Sequence, residues 1–182
     1  NLRMADVVVI NKVDTADPAK VESVKANVKM ANPDAVVIEA ASPITVEDSA
    51  SVKGKGVLVV EDGPTLTHGN MAYGAGTIAA KRLGAKEIVD PRPYAVGSIR
   101  DTFKKYTHLS ALLPAMGYGE KQIDELEKTI NATPCDLVII GTPIDLRKLV
   151  NFKKPTVRAR YELQEVSKPD IEEILRRRFL KK

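Results

Sequence analysis

The stretch Ala5-Asp6-Val7-Val8-Val9-Ile10 is a β-branched run without polar alternation, and Val57-Leu58-Val59-Val60 and Asp136-Leu137-Val138-Ile139-Ile140 share its character. Such runs are typical of strands that are covered on both faces of a parallel sheet. Segments with helical periodicity lie between them. This alternation predicts an α/β fold in three layers, with a mainly parallel sheet and helices on both of its faces.

The segments between the strands carry ordinary helix signals. Asp17-Pro18 reads as an N-cap with proline at the first helical position, and Val21, Val24 and Val28 then recur on one helix face. Further helices are predicted over 77–83, 98–106, 120–131 and from Pro169-Asp170 to about 180. Other segments predict a second strand over 35–39, an edge strand over 156–163, a connection over 44–56 and a loop over 113–119.

Composition places the chain among globular proteins. Of its 182 residues, 43% are hydrophobic and 29% are charged, which excludes wholesale disorder. No apolar run approaches the roughly 18 residues of a membrane-spanning helix. Cys135 is the only cysteine, so we expect no disulfide framework or cysteine-based zinc site, and a reduced, cytoplasmic location. The absence of Trp and the scarcity of Gln favour a thermophile.

Positive charge is concentrated at one end of the chain. Residues 1–150 carry 18 basic and 19 acidic side chains, whereas residues 151–182 carry 10 basic and 5 acidic ones. A nucleic-acid or membrane surface could use such a tail. However, cations are favourable near a helix C-terminus in any case, and no aromatic ladder for stacking on bases accompanies them. We therefore interpret the tail as a solvated helix end and expect neither nucleic acid nor membrane as a partner.

Polar loops follow the first two strands, Asn11-Lys12-Val13-Asp14 after one and Ala40-Ala41-Ser42 after the other. They resemble the two base-binding loops of P-loop GTPases, of which the Asn-Lys-x-Asp motif selects guanine. A carboxylate can accept two parallel hydrogen bonds from guanine, whereas adenine presents a mismatched edge. The residues that this resemblance assigns to the nucleotide are Asn11, Lys12, Asp14, Ala41 and Ser42, with Asp14 selecting the base. The alternative is an ordinary polar turn.

The phosphate-binding segment of such enzymes is not part of this sequence. No Gly-x-x-x-x-Gly-Lys-Ser/Thr segment occurs in the 182 residues. In P-loop GTPases it cradles the phosphates with Mg²⁺ and precedes the Asn-Lys-x-Asp loop. We therefore expect GTP or GDP with Mg²⁺ to bind a longer protein whose phosphate loop lies upstream of Asn1. The chain alone should bind nucleotide poorly and hydrolyse none.

The beginning of the chain also suggests a fragment. It starts with Asn1 rather than Met, enters an apolar strand almost at once and shows no signal or transit peptide. We expect the C-terminal portion of a longer protein. Residues 1–50 would complete a GTPase-like nucleotide-binding domain, and residues 51–182 would form an α/β region packed on it, ending in a helix. Whether the two regions share one sheet is left open.

A second polar cluster follows the third strand, in Glu61-Asp62-Gly63-Pro64-Thr65-Leu66-Thr67-His68-Gly69 and then Gly74-Ala75-Gly76. Ligands of α/β sheets bind outside the carboxyl ends of strands, and loop N–H groups suit anions. The catalytic candidates are Glu61, Asp62 and His68, with Asp62 also a candidate metal ligand. The candidate substrate- or anion-binding residues are Thr65, Thr67, Gly69, Gly74, Gly76 and Arg92. The alternative is a long structural loop with a capping Asp and glycines at positive φ.

Taken together, the segments resemble a family of predicted P-loop GTPases of archaea and bacteria, sometimes labelled cyclic 2,3-diphosphoglycerate synthetases. The resemblance is carried by residues 1–14, 60–69, 90–97, 113–118 and 141–146, and it spans essentially the whole chain. It implies a P-loop NTPase or Rossmann-like fold. It also implies a parent protein more than twice this length, with an N-terminal α/β domain and a P-loop domain before Asn1.

Three functions remain open from the sequence. The first is an enzyme that uses a guanine nucleotide and acts on a second, phosphorylated small molecule. The second is an ATP-dependent ligase of the cyclic 2,3-diphosphoglycerate synthetase type, which the family label implies. The third is a GTP-gated interaction protein without turnover of a small molecule. Association into a homo-oligomer is compatible with all three.

Overall fold

Two separate sheets organise the chain in a computed structural model that describes residues 1–180. The strands are β1 (Val7–Asn11), β2 (Val36–Ala41), β3 (Ile44–Val46), β4 (Gly56–Asp62), β5 (Glu87–Ile88), β6 (Leu113–Ala115), β7 (Leu137–Gly141), β8 (Thr156–Tyr161) and β9 (Gln164–Glu165). The α-helices are α1 (Pro18–Ala31), α2 (Gly63–His68), α3 (Ala75–Arg82), α4 (Gly97–Lys105), α5 (Glu120–Ala132) and α6 (Ile171–Phe179). The sheets belong to two compact units, residues 1–43 with the segment from Tyr161 onward, and residues 44–160.

The first unit contains a three-stranded sheet in the order β1-β2-β9. β1 and β2 are parallel and joined by α1, whereas β9 is antiparallel to β2. The predicted start of α1 is confirmed, because the Asp17 carboxylate accepts the N–H of Ala19 at 2.9 Å. Val21 and Val28 of the predicted apolar face are buried, but Val24 is 46% exposed.

The C-terminal helix belongs to this first unit, which differs from the sequence-based division at residue 50. β9 carries the chain back to β2, and the N–H of Glu39 donates to the hydroxyl of Ser167 at 2.8 Å. Asp170 then caps α6 by accepting the N–H of Glu173 at 2.8 Å, and Arg178 pairs with Asp6. Lys181 and Lys182, the last residues of the basic tail, lie outside the described residues.

The second unit contains a sheet in the order β3-β8-β7-β4-β5, with β6 beside the end of β4. β4 is parallel to β5, β6 and β7, and β7 is parallel to β8. The prediction of β8 as an edge strand was wrong, since β3 covers its outer side and the N–H of Glu47 donates to the carbonyl of Arg158 at 3.0 Å. The predicted α/β class is confirmed, although β9 of the first sheet runs antiparallel to β2.

Helices cover both faces of this second sheet. Val57 and Val59 of β4 point into one buried cluster with Ala79 and Ala80 of α3. The alternating residues Leu58 and Val60 point into another, which contains the buried residues Ile99 of α4 and Leu126 and Ile130 of α5. Because consecutive residues of a strand face opposite sides, the uninterrupted apolar run 57–60 serves both layers at once. This confirms the three-layer arrangement predicted from the sequence.

Three short elements lie where the sequence predicted loops or connections. Residues 63–68 form α2, because Asp62 caps it by accepting the N–H of Thr65 at 3.2 Å and Pro64 stands in its first turn. β6 pairs with the end of β4 through backbone hydrogen bonds, which side-chain propensity does not reveal. β3 lies within the predicted connection 44–56.

Within residues 1–180, no helix is long and apolar enough to cross a membrane.

Candidate functional site

The second sheet has a topological switch point between β4 and β7. After β4 the chain forms β5 and β6 on one side of that strand and then returns to form β7 on the other side. Ligands of α/β proteins bind in the crevice outside the carboxyl ends of the two strands that flank such a point. Glu61 and Gly141 are register partners at those ends. The switch point therefore falls on the cluster that the sequence singled out.

Glu61 is buried at the switch point, with only 2% of its surface exposed. Its Oε1 accepts the N–H of Thr77 at 2.8 Å and the hydroxyl of Thr77 at 3.0 Å. A Cβ at Gly74 or Gly141 would lie 2.6 or 2.5 Å from Oε2, so only glycine allows this approach. The carboxylate thus caps the N-terminus of α3 from outside the helix, as an anion built into the protein.

Two opposing effects act on the pKa of Glu61. Burial raises the pKa of its carboxyl group, because the charged form loses its hydration. The hydrogen bonds from Thr77, and the N–H groups of Gly76 and Gly74, favour the charged form and lower it, but burial prevails. Gly74 and Gly76, which the sequence assigned to a substrate anion, therefore face the protein's own carboxylate. Their anion-binding role stays a prediction.

Asp62 is half-buried and lies at the start of α2. Its carboxylate accepts both the N–H and the hydroxyl of Thr65, so that candidate anion ligand is also engaged by an acidic side chain. Tyr118, which follows β6, is close enough that burial first and the Asp62 charge second raise the pKa of its phenol. The edge beyond β4 and β6 is therefore acidic, which favours a cationic or neutral group there.

The other predicted residues of this region have partners of their own. His68 is exposed at the end of α2, with Nδ1 3.1 Å from the carbonyl of Pro64, and the Thr67 hydroxyl donates to the carbonyl of Gly63 at 3.0 Å. Gly69 is the C-cap of α2 and has a negative φ. Arg92 follows β5 and holds Asp90 through two atoms of its guanidinium, with an Nη2–Oδ2 distance of 2.6 Å. An anion at Arg92 would compete with Asp90.

A metal role for Asp62 also stays a prediction. In the part of the chain that the structure describes, no group of three or more His, Cys, Asp or Glu side chains is placed to hold a metal ion. Mg²⁺ is often held by only one or two carboxylates, with water and substrate phosphates completing its shell. Asp62 fits that pattern as a single ligand at the end of a strand.

In the first unit, the two predicted base-binding loops are joined by hydrogen bonds. The N–H of Ser42 donates to Oδ1 of Asp14 at 3.0 Å, and the N–H of Val13 donates to the carbonyl of Ala40 at 3.1 Å. The N–H of Lys12 donates to Oδ1 of Asn11 at 2.8 Å, and Lys12 has φ +64°. A left-handed lysine costs about 1 kcal/mol, so the surrounding loop must hold it. The five residues assigned to the nucleotide thus occupy one edge of the β1–β2 sheet.

Glu125 is a buried acidic residue that the sequence analysis missed. It lies on α5 and is 6% exposed. Its carboxylate accepts the N–H of Ser98 at 2.9 Å and also the Ser98 hydroxyl, and these bonds lower the pKa of Glu125. It therefore caps the start of α4, as Glu61 caps the start of α3. Periodicity could not reveal it, because Glu125 adjoins the apolar face of α5 and its partner is 27 residues away.

The close approach of Glu125 to Gly97 gives a testable stability difference. A Cβ at Gly97 would lie 2.1 Å from Oε1 of Glu125, and Gly97 has φ +51°. We expect Gly97→Ala to lower the free energy of unfolding by about 2–3 kcal/mol, because backbone strain adds to a clash with a held carboxylate. Gly54→Ala is the matched control, since Gly54 has φ +73° but no atom within 4 Å of the added methyl group. It should cost about 1 kcal/mol. Equal costs in urea unfolding would contradict the proposed contact.

Comparison with known proteins shows a similarity over nearly the whole chain. The chain is 60% identical over 175 residues to arginine synthetase ArcE of Thermococcus kodakarensis. The match covers 96% of this chain but 39% of the relative, so the chain spans about two fifths of the length of that protein. No protein-family profile matches the chain.

The relative's name agrees with one part of the sequence-based expectations. A synthetase is a ligase-type enzyme, as the second of the three open functions required. The name contains neither the GTPase nor the cyclic 2,3-diphosphoglycerate label that the resemblance implied. The choice of nucleotide and of second substrate therefore rests on the residues themselves.

Proposed function

We propose that this chain is part of a nucleotide-dependent synthetase that forms arginine. The observation that carries the proposal is the 60% identity to an arginine synthetase over 96% of the chain. A synthetase couples the joining of two molecules to the cleavage of a nucleoside triphosphate. It therefore needs a site for the base, a site for the phosphates and a site for the molecules that are joined. This chain offers candidates for the first and the third.

The proposed base site consists of Asn11, Lys12 and Asp14 with Ala41 and Ser42. Its support is the hydrogen bond from the N–H of Ser42 to Oδ1 of Asp14, which orients the carboxylate. Oδ2 and the second lone pair of Oδ1 remain for the two donors of guanine. GTP is the first candidate because Asp14 matches the guanine edge, and ATP is the alternative. The triphosphate and its Mg²⁺ are proposed to bind a segment beyond these 182 residues.

The proposed substrate site is the switch-point crevice of the second unit. Glu61 acts there as a positioning residue that fixes the start of α3, and Asp62 is the half-buried acidic residue that follows it at the end of β4. The geometry supports a cationic or neutral group at this point better than a phosphate, because Thr65 and Thr77 already donate to carboxylates. A guanidinium group, the cationic end of arginine, can donate N–H hydrogen bonds to the carboxylate of Asp62.

Reversal of the reaction tests this function without knowledge of the joined molecules. A synthetase running backwards consumes its product together with a nucleoside diphosphate and phosphate, or a monophosphate and pyrophosphate. The natural gene product that contains this chain should therefore form GTP, or ATP, when arginine and Mg²⁺ are supplied with these partners. Lysine in place of arginine is the control and should give none. Nucleotide hydrolysis without any arginine-dependent formation would contradict the proposal and favour a GTP-gated interaction protein.

A further inference from the structure

An arginine network lies at the carboxyl ends of β7 and β8 in the second unit. Arg147 binds Asp145 and Glu47, with closest distances of 2.7 and 2.9 Å. Arg160 binds Glu47 at 2.7 Å, and Arg158 is 3.9 Å from Asp145. The five side chains come from β8, the segment after β3 and the segment after β7. They form a single cluster that the switch-point site does not use.

The network carries an excess of positive charge at neutral pH. Hydrogen bonds from Arg147 lower the pKa of Asp145 to about 2, and they also lower the pKa of Glu47. Both carboxylates are therefore ionised, and three guanidinium groups face two negative charges. One positive charge remains without a counter-charge inside the network.

Arg158 is the member whose hydrogen bonding is incomplete. Its side chain is 18% exposed, and its Nη2 donates to the carbonyl of Pro143. Its Nε–H is buried and has no partner among the described residues. An unpartnered buried donor costs about 1–3 kcal/mol, and native proteins satisfy nearly all such groups with protein, water or an ion. An oxyanion would complete Arg158, because Nε and Nη2 form the fork that binds two oxygens side by side.

The network also lies at the edge of the sheet where ligands bind. Arg158 is the register partner of Ile140, and Ile140 is the partner of Val60, one residue before Glu61. Two strand spacings of about 4.8 Å place Arg158 roughly 10 Å from β4. Register partners share a face of the sheet, so Arg158 lies on the face of Ile140, Val60 and Asp62, whereas Glu61 points to the opposite face, against α3. That face therefore has an acidic group at Asp62 and a basic side at the arginine network.

We propose that Arg158, within this network, forms an oxyanion subsite, which binds the carboxylate of the amino acid while the cationic side chain of the amino acid points towards Asp62. The proposal rests on the proposed function for the choice of a carboxylate. The shared chemistry is an oxyanion that accepts from Nε and Nη2 of Arg158, and a phosphate group offers the same acceptors. Binding exchanges the carbonyl of Pro143 for one ligand oxygen and gives Nε its missing partner.

The Nε–H resonance of Arg158 reports directly on this subsite. We would titrate the full 182-residue chain, labelled with ¹⁵N, with acetate, inorganic phosphate or L-arginine, using chloride at equal ionic strength as the blank. We expect a saturable shift of the Arg158 Nε–H signal with each oxyanion and none with chloride. If the carboxylate is the true ligand, L-arginine should bind at least tenfold more tightly than phosphate; the reverse order would reject the carboxylate assignment.

A variant of Arg158 distinguishes the effect of its two parallel N–H donors from the effect of its positive charge. Arg158→Lys keeps the charge but removes the two parallel donors, and we expect it to weaken oxyanion binding about tenfold or more. This affinity is measured by calorimetric titration, because the variant has no Nε–H signal at position 158. Arg176→Lys is the control, because Arg176 pairs with Glu172 on α6 outside the network and the same substitution there should leave binding unchanged. An unshifted Nε–H signal, or unchanged affinity in Arg158→Lys, would overturn the subsite. Both measurements are made without nucleotide and without turnover. If the protein forms nucleotide from arginine but the Arg158 Nε–H signal does not shift, the oxyanion subsite is rejected and the proposed synthetase function stands.

Discussion

Replacing Asp14 by asparagine is expected to weaken GTP binding to the natural gene product by about 100-fold or more and to make xanthosine triphosphate (XTP) the better ligand. The physical reason is that guanine presents two donors to the carboxylate, whereas an amide offers one acceptor and one donor. Xanthine replaces the amine of guanine with a carbonyl, so its edge matches the amide. An asparagine can still accept the N–H of Ser42 through its oxygen, so the two loops stay joined.

The measurement is a calorimetric titration of the wild-type and variant proteins with GTP, XTP and ATP. Asp17→Asn is the matched control, because the same change three residues along affects only the cap of α1. It should leave the order of nucleotide affinities unchanged. If the Asp14 variant keeps the wild-type preference, or if the wild type does not distinguish GTP from ATP, these residues form a polar turn and not a guanine site.

The second large effect concerns Glu61. We expect Glu61→Ala to lower the free energy of unfolding by about 3–5 kcal/mol, because it leaves a cavity and deprives the N–H and hydroxyl of Thr77 of their partner. Glu61→Gln keeps the shape and an accepting oxygen, so we expect it to cost about 1 kcal/mol at neutral pH. Glu87→Ala is the control, since Glu87 is exposed on the short neighbouring strand β5 and its loss should change stability by less than about 0.5 kcal/mol.

The pH dependence of Glu61→Gln separates a buried charge from simple packing. Burial raises the folded-state pKa of Glu61 above its ordinary value of 4.5. The folded state therefore binds the Glu61 proton more tightly than the unfolded state, and the wild type loses that stability as the pH rises from 4.5 through the raised pKa. The side chain at position 61 does not titrate in the glutamine variant. Over this pH range the free energy of unfolding of the wild type should therefore fall relative to that of Glu61→Gln. Parallel pH profiles from urea unfolding would contradict a raised pKa.

Local sequence signals were sufficient where an element depends on its own residues. Asp17-Pro18 marked the start of α1, and the run Val57–Val60 marked a strand that is buried on both faces. The contact between Asp14 and Ser42 is of a similar kind, since loops that follow two neighbouring parallel strands meet at the same edge of a sheet. In these cases the chain order and residue type already contain the structural information.

Other features depend on partners that are distant in the sequence. β8 looked like an edge strand because Arg158 and Arg160 alternate with Val157 and Ala159, yet β3 covers its outer side. Backbone pairing makes β6 a strand although its residues are Leu-Pro-Ala. Periodicity carries no information on such pairings, because they are formed by backbone groups common to nearly all residues.

The pattern of residue types was sufficient to predict the α/β class, the buried strands and the location of acidic and glycine-rich residues at their carboxyl ends. The folded chain was needed to show that Glu61 and Glu125 cap the helices α3 and α4, and that the Nε–H of Arg158 has no partner within residues 1–180. The reason is physical: a residue type fixes which bonds a side chain can form, but the supply of partners and the loss of water depend on segments that meet only after folding.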